Sequence, residues 1–129
     1  MNASASATWK TVWTDAGCAS ELVDGGAGLR TLIPGPGGEV CAFVVRYEGQ
    51  NFAYLNRCAH VPVELDWLEG AFFDDTGHFL VCATHGAMYE PKTGLCVDGP
   101  CRGRSLEALD CRIDNGRVQV RRQQRSAHA

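Results

Sequence analysis

Two short motifs hold the residues best suited to chemistry: Cys58-Ala59-His60 and, 21 residues later, Cys82-Ala83-Thr84-His85. Each supplies one thiol and one imidazole, which are soft and borderline donors suited to transition metals. Four such donors can close a tetrahedral zinc site. Taken two per metal, they can instead hold a pair of sulfide-bridged irons. Cys-x-x-Cys and His-x-x-x-His, the usual ligand pairs of zinc fingers, do not occur here. The mixed pairs favour the iron-sulfur alternative, and a structural zinc domain is its rival. Colour separates the two, because iron-sulfide charge transfer gives a red-brown protein and zinc a colourless one.

The pattern Cys-x-His, spacer, Cys-x-x-His resembles the Rieske iron-sulfur family. The resemblance implies a 2Fe-2S cluster with Cys58 and Cys82 on one iron and His60 and His85 on the other, solvent-side iron. It continues through His85-Gly86-Ala87-Met88-Tyr89 and reaches Gly99-Pro100. There the family carries a glycine, an aromatic residue and a proline-bearing third loop, so Gly86, Tyr89 and Pro100 join the cofactor-binding set. The match covers roughly residues 40–120, and its long spacer implies an insertion in the first cluster loop or in the hairpin between the motifs. High-potential members have an extra Cys in each ligand loop, joined as a disulfide, and a Ser two residues after the second His. Val63, Thr84 and Ala87 occupy those positions here. Tyr89 keeps the phenol that donates to a cysteine sulfur. The resemblance therefore implies a ferredoxin-like potential in the lower half of the range of about −150 to +300 mV, nearly independent of pH around neutrality.

Loops of this kind must hang on rigid elements. Residues 40–47 form an apolar, β-branched and aromatic run, followed by a turn at 48–51 and a strand at 52–56 that delivers Cys58. Phe72-Phe73, a turn at Asp74-Asp75-Thr76-Gly77 and residues 79–81 deliver Cys82 in the same way. Further strands are expected at 9–13, 29–33 and 95–97. A glycine-rich connection with one short turn is expected at 15–28, and loops at 34–38 and 98–101. A closing hairpin at 109–120 turns on Asn115-Gly116, a strong two-residue turn signal. Residues 1–8 read as a disordered arm and 123–129 as a fraying tail. With neither a repeat nor a long helix, the class is all-β. The family resemblance sharpens this to an antiparallel β-sandwich base domain over residues 9–122, with a small inserted cluster-binding subdomain at 57–90.

The 129 residues suit one domain, and a net charge of −3 gives no pull toward nucleic acid or an anionic membrane. Acidic residues Glu64, Asp66, Glu69, Asp74 and Asp75 crowd the interval between the motifs, a candidate docking patch for a basic partner. Arg117, Arg121, Arg122 and Arg125 read as a solvated strand end and tail. The cysteine count of seven is odd, no signal peptide opens the chain and no run reaches the ~20 apolar residues of a membrane helix. We therefore expect a soluble cytoplasmic protein, monomeric or weakly oligomeric. Cys18, Cys41, Cys96, Cys101 and Cys111 are expected to be buried or half-buried thiols, with Cys96 and Cys101 close enough in sequence to bridge under oxidising conditions.

After the cluster takes His60 and His85, only His78 and His128 remain, and because His128 is the penultimate residue of the tail, the two-His-one-carboxylate iron of an oxygenase is not expected. His78 reads as a solvated turn residue. The resemblance thus implies an electron carrier rather than a catalyst, passing electrons from a flavin-dependent reductase to a terminal oxygenase or reductase. The alternative is a structural or regulatory small subunit of a nitrite-reductase-like complex, against which the four intact ligands argue.

Overall fold

The computed structural model describes residues 12–59 and 61–123. The arm expected at 1–8, Trp9, His60, His128 and the tail beyond residue 123 lie outside the described residues. Among the described residues nine strands follow one another: β1 (Thr14–Cys18), β2 (Leu29–Gly35), β3 (Gly38–Tyr47), β4 (Gln50–Leu55), β5 (Leu80–Val81), β6 (Met88–Tyr89), β7 (Cys96–Asp98), β8 (Ala108–Asp114) and β9 (Arg117–Arg122). Tight turns set two of the hairpins. Glu48-Gly49 joins β3 to β4 and Asn115-Gly116 joins β8 to β9, with positive φ at both residues of each turn. Such turns match the twist of the strands they connect. The Asp24 carboxylate secures the first by accepting the Glu48 and Gly49 N–H groups at 3.0 and 2.6 Å.

The strands make two antiparallel sheets. Six form the order β1-β9-β8-β4-β3-β2, and three form β5-β6-β7. The ends of the larger sheet approach one another, for the Thr31 hydroxyl on β2 donates to the Asp15 carbonyl on β1 at 2.9 Å. The sheet therefore curls toward closure. β3 and β4 are buried on both faces, and the two-residue period of a strand divides their side chains between two cores. Ala42, Val44, Ala53 and Leu55 enter an aliphatic core inside the curl. Phe43, Val45 and Tyr54 face the other way, toward the smaller sheet and the ligand loops. Phe43 stacks on Phe72 with ring centroids 4.1 Å apart, fastening the two parts together.

Three expectations need correction. Residues that read largely as a connection form a strand, Thr14–Cys18, while most of the strand expected at 9–13 lies outside the described residues. Its Asp-Ala-Gly sequence has turn character, but pairing with β9 overrides this and a bulge between Asp15 and Gly17 absorbs the glycine. The short turn expected in the connection follows as a 3-10 segment, Ala19–Glu21. Pro34 and Gly35, expected in a loop, belong to β2 and pair with Glu39 and Gly38. Proline is tolerated there because β2 is an edge strand, where the missing N–H faces no neighbour. Asp98, expected in a loop, ends β7.

Candidate metal centre

The two ligand loops are closed in the same way. The Cys58 N–H donates to the Val63 carbonyl and the Cys82 N–H to the Ala87 carbonyl, each at 2.8 Å, so each cysteine opens a turn that returns to it five residues later. In the second loop the Gly86 N–H also bonds to the Cys82 carbonyl at 2.8 Å, and Gly86 turns with φ 73°. The loops are tied together by the Ala83 N–H, which donates to the Leu65 carbonyl at 3.0 Å. Both thiols are buried, whereas His85 stands exposed.

Cys58 and Cys82 lie side by side. Burial raises the Cys82 thiol above its ordinary value of 9.0, and the neighbouring Cys58 adds to the rise, against backbone N–H groups of Thr84 and His85 directed at the sulfur. Tyr89 serves the other sulfur. Its hydroxyl oxygen accepts the Ala59 N–H at 2.9 Å and sits 3.1 Å from Cys58 Sγ. Burial, with Cys101 and Cys58 alongside, pushes that phenol far above its usual range, so it remains a proton donor at neutral pH. Two adjacent buried thiols surrounded by donors suit a bound metal, which takes the place of their protons. Among the described residues no three His, Cys, Asp or Glu side chains gather around one point.

The third loop packs against the second. A Cβ on Gly99, at φ 100°, would stand 2.8 Å from the Ala87 Cα, so only glycine permits this approach. Pro100 lies exposed on the outside of that loop. His78 is exposed on the turn after Gly77, edge-on to Tyr47 at 6.5 Å, and is a turn residue as expected. The five remaining cysteines are buried or half-buried free thiols.

Sequence reading missed the clamp behind the first ligand loop. Asn56, buried at the end of β4, donates to Asp66 at 2.9 Å and accepts the Leu65 N–H at 2.8 Å, folding residues 57–65 back on themselves. A polar residue ending an apolar strand next to a ligand was the available signal. Part of the acidic interval is internal structure. Asp66 is buried and also accepts the Gly70 N–H, while Arg30 reaches Asp66 at 3.1 Å, Glu64 at 3.0 Å and Glu69 at 3.9 Å. Asp74 closes its own turn. Arg104 Nη1 donates to the Ala59 carbonyl at 3.4 Å, placing a cation beside the first loop. The expected acidic patch is narrowed: Arg30 offsets one of its negative charges and Asp66 is buried, while Glu64, Glu69 and Asp75 stay exposed. At the C-terminus, Arg117, Arg121 and Arg122 pair with Asp15, Asp110 and Glu107, and Arg112 and Arg121 flank Trp13.

Among the described residues no helix is long and apolar enough to cross a membrane. No curated protein matches the chain significantly. Among solved structures, the chain superposes on the ferredoxin of carbazole 1,9a-dioxygenase from Nocardioides aromaticivorans IC177 with a TM-score of 0.65 at 22% identity, covering 87% of this chain and 99% of that one. A chain in the complex of reduced oxygenase and oxidized ferredoxin in carbazole 1,9a-dioxygenase gives 0.69 at 23% identity, covering 89% and 97%. The terminal oxygenase from Nocardioides aromaticivorans IC177 gives 0.70 at 21% identity, but there the match spans 97% of this chain and only 34% of the oxygenase chain. At these identities the likeness is one of fold. The family model described as Rieske [2Fe-2S] domain matches residues 13–120, nearly all of the described chain. The chain belongs to the Rieske [2Fe-2S] domain family.

Proposed function

We propose that this protein is a one-electron carrier whose Rieske-type 2Fe-2S cluster is held by Cys58 and Cys82 on one iron and by His60 and His85 on the other. Residues 57–90 form its cluster-binding subdomain within a domain spanning 9–122. The observation that carries the reading is the pair of adjacent buried thiols on two equally closed loops, beside an exposed His85. When bound, the cluster accepts and releases one electron without bond rearrangement. The protein's own residues do the rest. Tyr89 donates toward Cys58, and backbone N–H groups of Thr84 and His85 face Cys82, which favours the more negative reduced state. The buried thiol side keeps water from the sulfurs, while exposed His85 offers the edge where a partner approaches.

The partners we propose are a flavin-dependent reductase as donor and a terminal oxygenase or reductase as acceptor, with the carrier itself not catalytic. A fold like that of the ferredoxin of carbazole 1,9a-dioxygenase, matched over 99% of that chain, supports the carrier reading. Arg30 offsets only one of the acidic charges, and the exposed Glu64, Glu69 and Asp75 leave a negative surface, so electron transfer with a basic partner should slow as ionic strength rises. The test is purification under reducing conditions followed by iron and acid-labile sulfide analysis and a reductive titration. A red-brown protein taking up one electron, re-oxidised by an oxygenase component, is the expected outcome. A colourless protein containing zinc or no metal would overturn the proposal.

A further inference from the structure

Two cysteines outside the ligand set meet beneath the third loop. Cys96 and Cys101 are 1% and 2% exposed, and their Sγ atoms are 3.0 Å apart as free thiols. The backbone brings them together. The Cys96 N–H donates to the Arg104 carbonyl at 2.7 Å, the Gly103 N–H to the Cys96 carbonyl at 3.1 Å and the Arg104 N–H to the Cys101 carbonyl at 2.9 Å. Cys101 therefore folds back over Cys96 in a tight turn. Its sulfur also lies 3.2 Å from the Tyr89 hydroxyl, the same hydroxyl that is 3.1 Å from Cys58 Sγ. Because that oxygen already accepts the Ala59 N–H, its one proton is shared between two sulfurs, one on the ligand cysteine and one on the pair.

We infer that Cys96 and Cys101 are an oxidation site, a dithiol that closes to a disulfide and acts on Cys58 through Tyr89. The contact needs only to shorten to the bonded distance of about 2.05 Å. Hydrogen peroxide is the class of oxidant that fits, small and neutral enough to reach thiols under the exposed turn of Pro100, Arg102 and Gly103. One thiol, as its thiolate, attacks a peroxide oxygen and releases water to give a sulfenic acid. The second thiol then attacks that sulfur and releases another water. In total, two S–H bonds and the O–O bond break, one S–S bond forms, and the two electrons lost by sulfur reduce peroxide to two waters. Burial, with Cys101 beside it, pushes the Cys96 thiol up to about 11, so little thiolate is present near neutrality and the bridge forms faster as pH rises toward that value.

The effect on the site has a definite direction. In the dithiol, Cys101 competes for the Tyr89 proton. In the disulfide its sulfur is a weaker acceptor, and the phenol donates fully to Cys58. A stronger bond to a ligand sulfur raises the potential. This second half rests on the reading that Cys58 holds the cluster, whereas the first rests only on the two thiols.

The experiment treats the full-length, cluster-loaded protein with a small excess of hydrogen peroxide, removes the excess with catalase, and alkylates all free thiols after denaturation. Trypsin cutting after Lys92 and Arg102 releases residues 93–102, which contain both cysteines. Mass spectrometry should find this peptide unalkylated and two hydrogens lighter than the dithiol, returning to the doubly alkylated form after dithiothreitol. The midpoint potential should move upward on oxidation and return on reduction, and Tyr89→Phe should abolish the movement but not the bridge. A coloured protein whose 93–102 peptide stays doubly alkylated overturns the inference alone. A bridge that forms without shifting the potential overturns the coupling to Cys58. A colourless protein that still forms the bridge overturns the cluster reading and leaves the oxidation site standing.

Discussion

The two faces of β3 and β4 support cores of different kinds. On one face Ala42, Val44, Ala53 and Leu55 meet Ile33, Leu109, Val118 and Val120, an aliphatic interior enclosed by the curl of one sheet. On the other, Phe43 and Tyr54 meet Phe72, Leu80 and Tyr89 together with Cys58, Cys82, Cys96 and Cys101. The first core is held by strands of five to ten residues. The second is covered by strands of two or three residues and by loops. Strands that short are not stable by themselves. Their stability comes from aromatic packing against β3 and β4 and from loop hydrogen bonds. The scaffold and the site thus share two strands but use opposite sides of them, and damage to one side should leave the other recognisable.

The largest expected effect breaks the site and spares the scaffold. Cys82→Ser should eliminate the visible absorbance and the bound iron, while the far-ultraviolet dichroism of the larger sheet persists; Cys111→Ser, on the β8 strand, should keep the full spectrum. Phe72→Ala removes the ring stacked on Phe43 and should cost about 3–5 kcal/mol in denaturant unfolding while accelerating cluster loss to a chelator. Ile33→Ala in the aliphatic core is the converse, with a cost of about 2–4 kcal/mol and no change in the visible spectrum or the midpoint potential.

Smaller perturbations sharpen the comparison. Asn56→Ala leaves the Leu65 N–H and one Asp66 oxygen without their partner, a loss of about 1–3 kcal/mol that should appear as faster chelator-driven release of iron. Tyr89→Phe deletes the donor to Cys58. With about 1 kcal/mol for the hydrogen bond and 59 mV per tenfold for one electron, the potential should fall by roughly 40–60 mV. Asp74 provides the least effect. Partial burial works to raise its carboxyl, but hydrogen bonds from the Thr76 hydroxyl and the Phe79, His78 and Gly77 N–H groups outweigh this and hold it below 3.8. Its contribution is therefore present above the ordinary carboxylate value and disappears as pH falls through the lower folded value. Asp74→Asn should therefore be less stable than the parent at neutrality, with the difference shrinking as pH falls below about 4, so that its acid unfolding is the less steep of the two.

Much of this molecule is determined locally. The period-two apolar runs of β3 and β4, the Asn115-Gly116 turn and the Cys58, His60, Cys82 and His85 motifs each carry their meaning within a few residues, because strand alternation, positive φ and metal ligation are properties of short stretches. What the tertiary structure decided depends on residues distant in sequence. Thr14–Cys18 is a strand because β9 is there to pair with it, and Pro34 can lie in a strand because β2 is at an edge. The acidic interval becomes part of the fold because Arg30, 34 residues before Glu64, reaches across to it. Tyr89 links Cys58 to the thiol pair Cys96 and Cys101 because two loops converge on one hydroxyl. None of these pairings has a local signature, since a side chain's charge or proton acquires its role only from the partner that folding brings within about 3 Å.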